Sequence, residues 1–113
     1  MITIYHNPRC RKSRECLAFL ETFNQTFEIV KYLEDPLNFM ELSEIIRKLK
    51  ITPIELIRTK ESIWVENYKD KKLSDKEIIQ SMINHPILME RPIAVYGEKA
   101  VIARPLEKIK KIL

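Results

Sequence analysis

The chain has 113 residues, of which 45% are hydrophobic and 32% charged, and its net charge is +4 at pH 7. Those proportions are typical of an ordinary globular protein, and the length suits one domain. The longest apolar runs are only a few residues, so the sequence predicts no membrane span. Because the charge is mild and the lysines are dispersed, nothing in the composition predicts nucleic-acid binding.

The start of the sequence and its two cysteines indicate the cellular compartment of the protein. Met1 leads directly into the first predicted strand, so we expect no signal peptide. In a chain without an export signal, two cysteines indicate a reducing cytoplasm, where a structural disulfide is disfavoured. We therefore expect a cytoplasmic protein with free thiols.

The first cysteine, Cys10, lies between a predicted strand and a predicted helix. Ile2–Tyr5 alternates apolar and polar β-formers, as a half-buried strand does. An apolar stripe at helical spacing then predicts the first helix; it comprises Cys16, Leu17, Phe19, Leu20 and Phe23. Because Cys16 belongs to this stripe, we interpret it as a small buried hydrophobe, whereas Cys10 has polar and cationic neighbours.

Cys10 has the surroundings of a reactive thiol. At a helix N-terminus it meets free backbone N–H groups and the positive end of the helix dipole. Basic side chains and a histidine surround it in the sequence: His6, Arg9, Arg11, Lys12 and Arg14. Such surroundings lower a cysteine pKa, and the same N–H and guanidinium groups are suited to an oxyanion. The segment therefore predicts a nucleophile and an anion site in the same few residues.

The middle of the chain predicts one more strand and then helices. Residues 27–32 alternate again, which completes a βαβ unit with parallel strands. Capping signals then predict three helix starts: Asn38 with Glu41, Thr52 with Glu55 for a short helix ending near Arg58, and Ser74 with Glu77. Residues 59–73 are polar and lysine-rich, and we expect Trp64 and Tyr68 to be their packing anchors.

The last part of the chain predicts a β-hairpin and a final helix. Ile93–Tyr96 and residues 100–103 flank Gly97, and Pro105 then precedes a helical stripe. A βαβ unit and a ββα unit joined by helices predict one α/β domain over residues 1–113. We expect a four-stranded mixed sheet, with a helical insertion at about residues 38–84.

Three arginines lie at predicted element boundaries rather than on helix faces: Arg58, Arg91 and Arg104. Sheets of this kind carry their sites at the carboxyl ends of strands, where Cys10 lies. Because Arg91 enters the hairpin, it can approach Cys10, and its bond to Pro92 is a candidate for the cis form. A planar guanidinium is the donor that an oxyanion pocket needs. The alternative interpretation is that each arginine is an ordinary helix-end or turn residue.

Several motifs in this order resemble the arsenate reductase family that uses glutathione and glutaredoxin. The first is Ile-Tyr-His-Asn-Pro-Arg-Cys at residues 4–10, with a His-x3-Cys-x3-Arg pattern formed by His6, Cys10 and Arg14. The others are Leu-Ile-Arg-Thr-Lys at 56–60, His-Pro-Ile-Leu-Met-Glu-Arg-Pro-Ile at 85–93 and Ala-Arg-Pro at 103–105. The resemblance covers essentially the whole chain.

This resemblance implies a thioredoxin-like fold and a thiol-based reductase that converts arsenate to arsenite. Cys10 matches the family's nucleophile, and His6 and Arg14 match residues that favour its thiolate. The oxyanion-binding arginines of the family match Arg58, Arg91 and Arg104. Glutathione, a co-substrate, attacks the arsenic–cysteine adduct, and glutaredoxin then reduces the mixed intermediate. We expect no bound cofactor and no metal.

Two other functions of the same fold stay open at this point. A redox-responsive transcriptional regulator binds RNA polymerase and typically senses oxidation with a Cys-x-x-Cys pair, but Ser13 stands where the second cysteine would be. A glutathione-dependent oxidoreductase with another substrate would use the same thiolate and arginines. A metal site is disfavoured because the spacing of the candidate ligands matches no zinc pattern; these ligands are His6, Cys10, Cys16 and His85.

Overall fold

The chain folds into two compact units, described here by a computed structural model for residues 1–23 and 26–113. Met1–Asp35 and Arg91–Leu113 form the first unit, and Pro36–Glu90 forms the second. The second unit contains the helical insertion that the sequence predicts at residues 38–84. That the whole chain is a single domain stays a prediction.

The first unit is built on a four-stranded mixed sheet. Its strands are β1 (Ile2–Tyr5), β2 (Phe27–Val30), β3 (Ile93–Tyr96) and β4 (Lys99–Ile102), with helix α1 (Arg11–Leu20) between β1 and β2. The spatial order is β2-β1-β3-β4. β1 pairs parallel with β2 and antiparallel with β3, and β3 pairs antiparallel with β4. This βαβ-then-ββα order is the predicted thioredoxin-like α/β fold.

An apolar core joins α1 to one face of this sheet. Strand residues two apart share a face, as Ile2 and Ile4 do, and helix residues four apart lie together, as Cys16 and Leu20 do. All four side chains are fully buried in one cluster with residues from β3 and the C-terminal segment. The cluster fixes α1 on the sheet, so that the N-terminus of α1 lies beside the carboxyl end of β1.

Four predicted elements of this unit differ from the observed ones in their bounds or type. β4 is Lys99–Ile102, one residue earlier at each end than the predicted residues 100–103. β2 ends at Val30 rather than at residue 32, because the Lys31 carbonyl accepts N–H groups from Glu34 and Asp35 and so begins a turn. α1 ends at Leu20, before the last residue of its predicted stripe. The C-terminal segment Leu106–Lys111 is a 3₁₀ helix. Its apolar residues Leu106 and Ile109, and Ile112 at its C-cap, recur every third position, which is the 3₁₀ repeat.

The hairpin between β3 and β4 turns at the predicted glycine. Gly97 has a φ of 61°, a conformation that glycine adopts without a Cβ clash. The bonds Arg91–Pro92 and Arg104–Pro105 are both cis, the first as the sequence suggests.

The second unit is helical. It contains α2 (Phe39–Leu49), α3 (Ser62–Asn67) and α4 (Asp75–Asn84), with 3₁₀ turns at Pro53–Leu56 and Pro86–Leu88. The three predicted capping pairs are present; for example, Asn38 Oδ1 accepts the Glu41 N–H at 2.8 Å and Glu41 Oε1 accepts the Asn38 N–H at 3.0 Å. None of the described helices combines the length and apolarity needed to cross a bilayer.

Two details of the second unit differ from the sequence expectation. The short helix after Thr52 ends at Leu56, two residues early, because Ile57 leaves it to form a β-bridge with Met89. The lysine-rich stretch 59–73 contains α3, which the sequence analysis missed because six residues give too little periodicity. Trp64 is buried there and stacks on Tyr68 with ring centroids 5.3 Å apart, so both are the predicted packing anchors.

Candidate functional site

Cys10 is the N-cap residue of α1, at the end of a loop that follows β1. Hydrogen bonds within the loop fix its path: the Arg9 N–H donates to Asn7 Oδ1 at 3.0 Å, and the Cys10 N–H donates to the Asn7 carbonyl at 3.0 Å. The Asn7 N–H in turn donates to Ser13 Oγ at 3.3 Å. Asn7 and Ser13 are both buried, so water does not compete for these hydrogen bonds. The bonds therefore hold the loop, and with it Cys10, in one position at the helix N-terminus.

The pKa of Cys10 falls from 9.0 to about 7. Burial alone would raise this pKa, but hydrogen bonds from the Arg91 side chain and from the Ser13 and Lys12 N–H groups outweigh burial. The positive charge of Arg91 lowers the pKa further. Each of these donors stabilises the thiolate over the thiol, so a large fraction of Cys10 is nucleophilic at neutral pH.

Three basic side chains near Cys10, those of Arg11, Lys12 and Arg14, contact other groups of the loop and of α1. Arg11 Nε lies 3.1 Å from Glu15 Oε1, and Lys12 Nζ lies 3.7 Å from Glu15 Oε2. Arg14 Nη1 donates to the Pro8 carbonyl at 2.9 Å, so Arg14 braces the loop. The main cationic partner of Cys10 is therefore Arg91, which comes from the other end of the sequence.

His6 lies at the end of β1 and is 4% exposed. Burial, and then the charges of Lys31 and Arg14, lower its pKa below 6.5, so the imidazole is neutral at pH 7. Its Nδ1 atom has no hydrogen-bond partner among the described residues. A neutral ring supplies no cation to Cys10, and the thiolate-activating role of His6 and Arg14 stays a prediction.

Arg91 is the predicted site residue that the structure brings to Cys10. Its side chain is buried, with 9% exposed, and precedes β3, which pairs with β1. Its Nε and Nη1 atoms are buried and have no acceptor among the described residues. Buried donors without partners carry a large desolvation cost, so Arg91 offers two unused donors to an anion that comes near the thiolate.

The other two predicted arginines have different surroundings. Arg104 lines a groove of about 390 Å³ in the first unit, with Lys12 and Glu15 of α1 on the facing side. Arg58 belongs to the second unit, where its Nε donates to Glu61 Oε1 at 3.3 Å and its buried Nη1 has no partner among the described residues. Convergence of Arg58 and Arg104 with Arg91 on one oxyanion stays a prediction.

The surroundings of the second cysteine, Cys16, make its thiol unreactive. It is fully buried in the apolar core, and burial raises the pKa of its thiol to about 11. It is therefore a protonated core side chain at neutral pH, as its place on the helical stripe predicts. Within residues 1–23 and 26–113, no three His, Cys, Asp or Glu side chains are grouped so that they could hold a metal ion.

A comparison with known proteins decides the family to which this arrangement belongs. The sequence model of the ArsC family matches residues 5–112. The chain belongs to the ArsC family. It is 43% identical to YfgD of Escherichia coli, an uncharacterized protein, over 99% of this chain and 96% of that protein. It is 40% identical to an arsenate reductase of Haemophilus influenzae, over 99% of this chain and 98% of that protein.

The fold of this ArsC-family protein matches solved structures equally well. An arsenate reductase from Vibrio cholerae superimposes with a TM-score of 0.94 at 39% identity, over 99% of this chain and 97% of that one. At this coverage the aligned residues include the loop that carries Cys10.

Two buried residues of the ArsC-family loop were missed by the sequence analysis. Asn7 and Ser13 hold the loop that presents Cys10, and the Ser13 N–H also donates to the thiolate. A signal for both was present: asparagine before proline favours a turn, and a small polar residue in a first helical turn can bond to the preceding backbone.

The pKa of Cys10 leads to a test by alkylation. In this ArsC-family protein, the rate of Cys10 alkylation by iodoacetamide is expected to rise with pH and to reach half its maximum near pH 7, because only the thiolate reacts. Peptide mapping should place the label on Cys10, since Cys16 is buried and protonated. A midpoint near 9, the ordinary value for a cysteine, would contradict the assigned hydrogen bonds.

Proposed function

We propose that this ArsC-family protein reduces arsenate to arsenite through the Cys10 thiolate, with glutathione and then glutaredoxin as the source of electrons. The observation that carries the proposal is the pair of buried, unused donors of Arg91 beside a thiol with a pKa of about 7. Cys10 therefore supplies a nucleophile, and Arg91 beside it supplies hydrogen-bond donors for an oxyanion. The arsenate reductase names of the relatives support arsenate as that oxyanion.

The first step joins sulfur to arsenic. The Cys10 thiolate attacks arsenate, the Sγ–As bond forms, and one arsenate oxygen leaves as water with the protons of the arsenate. Arg91 Nε and Nη1 can donate to the oxygens that remain on arsenic, where negative charge is concentrated during the attack. The N–H groups of Lys12 and Ser13 hold the sulfur in place until the bond forms.

Two external thiols then supply two electrons. Glutathione attacks the arsenic, a second oxygen leaves as water, and arsenic carries both sulfurs. The glutaredoxin thiolate attacks the glutathione sulfur; a disulfide forms, and the electron pair of the As–S bond stays on arsenic as As(III). Water finally hydrolyses the bond to Cys10 and releases arsenite. In sum, one arsenate and two thiols give one arsenite, one disulfide and one water.

The second thiol comes from outside the chain because Cys16 is badly placed to supply it. Cys10 and Cys16 are six residues apart on α1, which corresponds to about 9 Å along the helix axis. A disulfide needs Cα atoms within about 7 Å. Cys16 would also have to leave the core in which it is fully buried. Forming the internal disulfide would therefore require α1 to unwind.

The proposal is tested by measuring arsenite production with two reductants. The purified protein is expected to turn over arsenate with glutathione and glutaredoxin, and much more slowly with thioredoxin and thioredoxin reductase. Faster turnover with thioredoxin would contradict the external glutathione step. Absence of arsenite with both systems would contradict arsenate as the substrate.

A further inference from the structure

A groove of about 350 Å³ flanks the Cys10 loop on the side of β2. It lies at the carboxyl ends of β1 and β2, which are tied together where the His6 N–H donates to the Val30 carbonyl at 2.8 Å. Its lining comes from the loop before Cys10 and from the turn after β2: Asn7, Pro8, Arg9, Lys31, Leu33 and Glu34. The volume is at the lower end of the range for small-molecule sites.

The charged side chains of this groove form no ion pair with another described residue. These side chains, Arg9, Lys31 and Glu34, are all exposed. Two cations and one carboxylate are therefore available to a ligand, beside the apolar surfaces of Pro8 and Leu33. The basic run on α1 differs in this respect, because Arg11 and Lys12 are paired with Glu15.

The groove is adjacent to the reactive thiol. Arg9 immediately precedes Cys10, so their Cα atoms are about 3.8 Å apart. The backbone that carries Arg9 is fixed by its hydrogen bond to Asn7 Oδ1. Lys31 acts electrostatically on buried His6, which also precedes this loop. The loop that carries Cys10 therefore also forms one wall of the groove.

We propose that this groove binds glutathione and directs its sulfur to Cys10. Glutathione has two carboxylates and one ammonium group, which complement the two cations and one carboxylate of the groove. Arg9 and Lys31 bind the carboxylates, and Glu34 binds the ammonium. The inference rests on glutathione as the reductant, but thiol–disulfide exchange tests it without arsenate.

The test uses glutathione disulfide as the probe. The Cys10 thiolate attacks one of its sulfurs, the Cys10–glutathione disulfide forms, the original S–S bond breaks, and one glutathione leaves as a thiolate. The rate is compared with that of bis(2-hydroxyethyl) disulfide, which undergoes the same exchange and has no charge. The Cys10 pKa is measured in every variant, so that rates are compared at equal thiolate fraction.

The variants are Arg9→Gln, Lys31→Gln and Glu34→Gln, with Lys99→Gln as the matched control. Lys99 lies on β4, at the opposite edge of the sheet from β2. Each groove variant is expected to slow exchange with glutathione disulfide by about twofold to fivefold, as for the loss of one exposed ion pair. Exchange with the uncharged disulfide should stay unchanged, and Lys99→Gln should leave both rates unchanged.

Glu34→Gln distinguishes a binding groove from general attraction of an anion to a basic surface. General attraction predicts that removal of this negative charge speeds the reaction with anionic glutathione disulfide. A binding groove predicts that the same substitution slows the reaction, because the ammonium group loses its partner. Faster exchange in Glu34→Gln, or equal losses in Lys31→Gln and Lys99→Gln, would overturn the inference. If these rates behave as expected but arsenate is not reduced, glutathione binding in the groove is supported and the proposed arsenate reduction is contradicted.

Discussion

Replacement of Cys10 by serine is expected to abolish arsenite formation. A hydroxyl is protonated at neutral pH and cannot pass through the sulfur–arsenic and disulfide states of the cycle. The fold should be retained, because Cys10 is the N-cap of α1 and serine is a preferred residue at that position. Arsenite release is measured beside thermal unfolding, and a folded Cys10→Ser protein with activity would contradict the nucleophile assignment.

The matched control for this substitution is Cys16→Ala. Alanine avoids a buried hydroxyl in the apolar core that holds Cys16. Loss of the sulfur leaves a small cavity, so some loss of stability is expected. Activity per folded molecule should stay close to wild type, because the second thiol is external. An inactive but folded Cys16→Ala protein would instead indicate that Cys16 resolves the intermediate.

Replacement of Arg91 by alanine is expected to have the second-largest effect. It removes the hydrogen bond and the charge that lower the Cys10 pKa, together with two donors available to the oxyanion. Loss of such donors costs about 2–4 kcal/mol of transition-state stabilisation, or roughly 30-fold to 1,000-fold in kcat/KM. Arg91→Lys should recover only part of this, because an ammonium lacks the planar pair of donors.

Arg11→Ala is the control that distinguishes the effect of Arg91 on the Cys10 pKa from the effect of basic residues next to Cys10 in the sequence. Arg11 follows Cys10 directly, but its side chain is 84% exposed and is paired with Glu15. We expect the alkylation midpoint of Cys10 to rise in Arg91→Ala and to stay in place in Arg11→Ala. The opposite result would show that neighbours in the sequence, rather than Arg91, stabilise the thiolate.

The roles of Arg58 and Arg104 are tested in the same way. Wild-type kinetics in Arg58→Ala and Arg104→Ala would show that these two arginines do not bind the oxyanion.

Local features of this fold could be predicted because a few neighbouring residues determine them. The capping pair of Asn38 and Glu41 needs only its own four residues, and the hairpin turn needs one glycine between two apolar runs. The position of Cys10 at a helix N-terminus is local in the same sense. Its activation is not local, because the main cation comes from Arg91, 81 positions further along the chain.

Other features depend on contacts that the sequence pattern does not carry. Arg11 and Lys12 look like partners of the thiol until their ion pairs with Glu15 are known. His6 looks like a cation until its burial shows it to be neutral. The glutathione groove combines residues before Cys10 with residues after β2, and only the parallel pairing of β1 and β2 brings these together.

Mass spectrometry of the protein during turnover tests the central claim most directly. Wild-type protein is mixed with arsenate and glutathione without glutaredoxin, quenched with acid, digested and mapped. The proposed mechanism predicts that Cys10 carries arsenic, with or without glutathione bound to that arsenic, and that Cys16 is unmodified. A Cys10–Cys16 disulfide that forms only when arsenate is present, or a Cys10 that stays unmodified while arsenite is released, would contradict it.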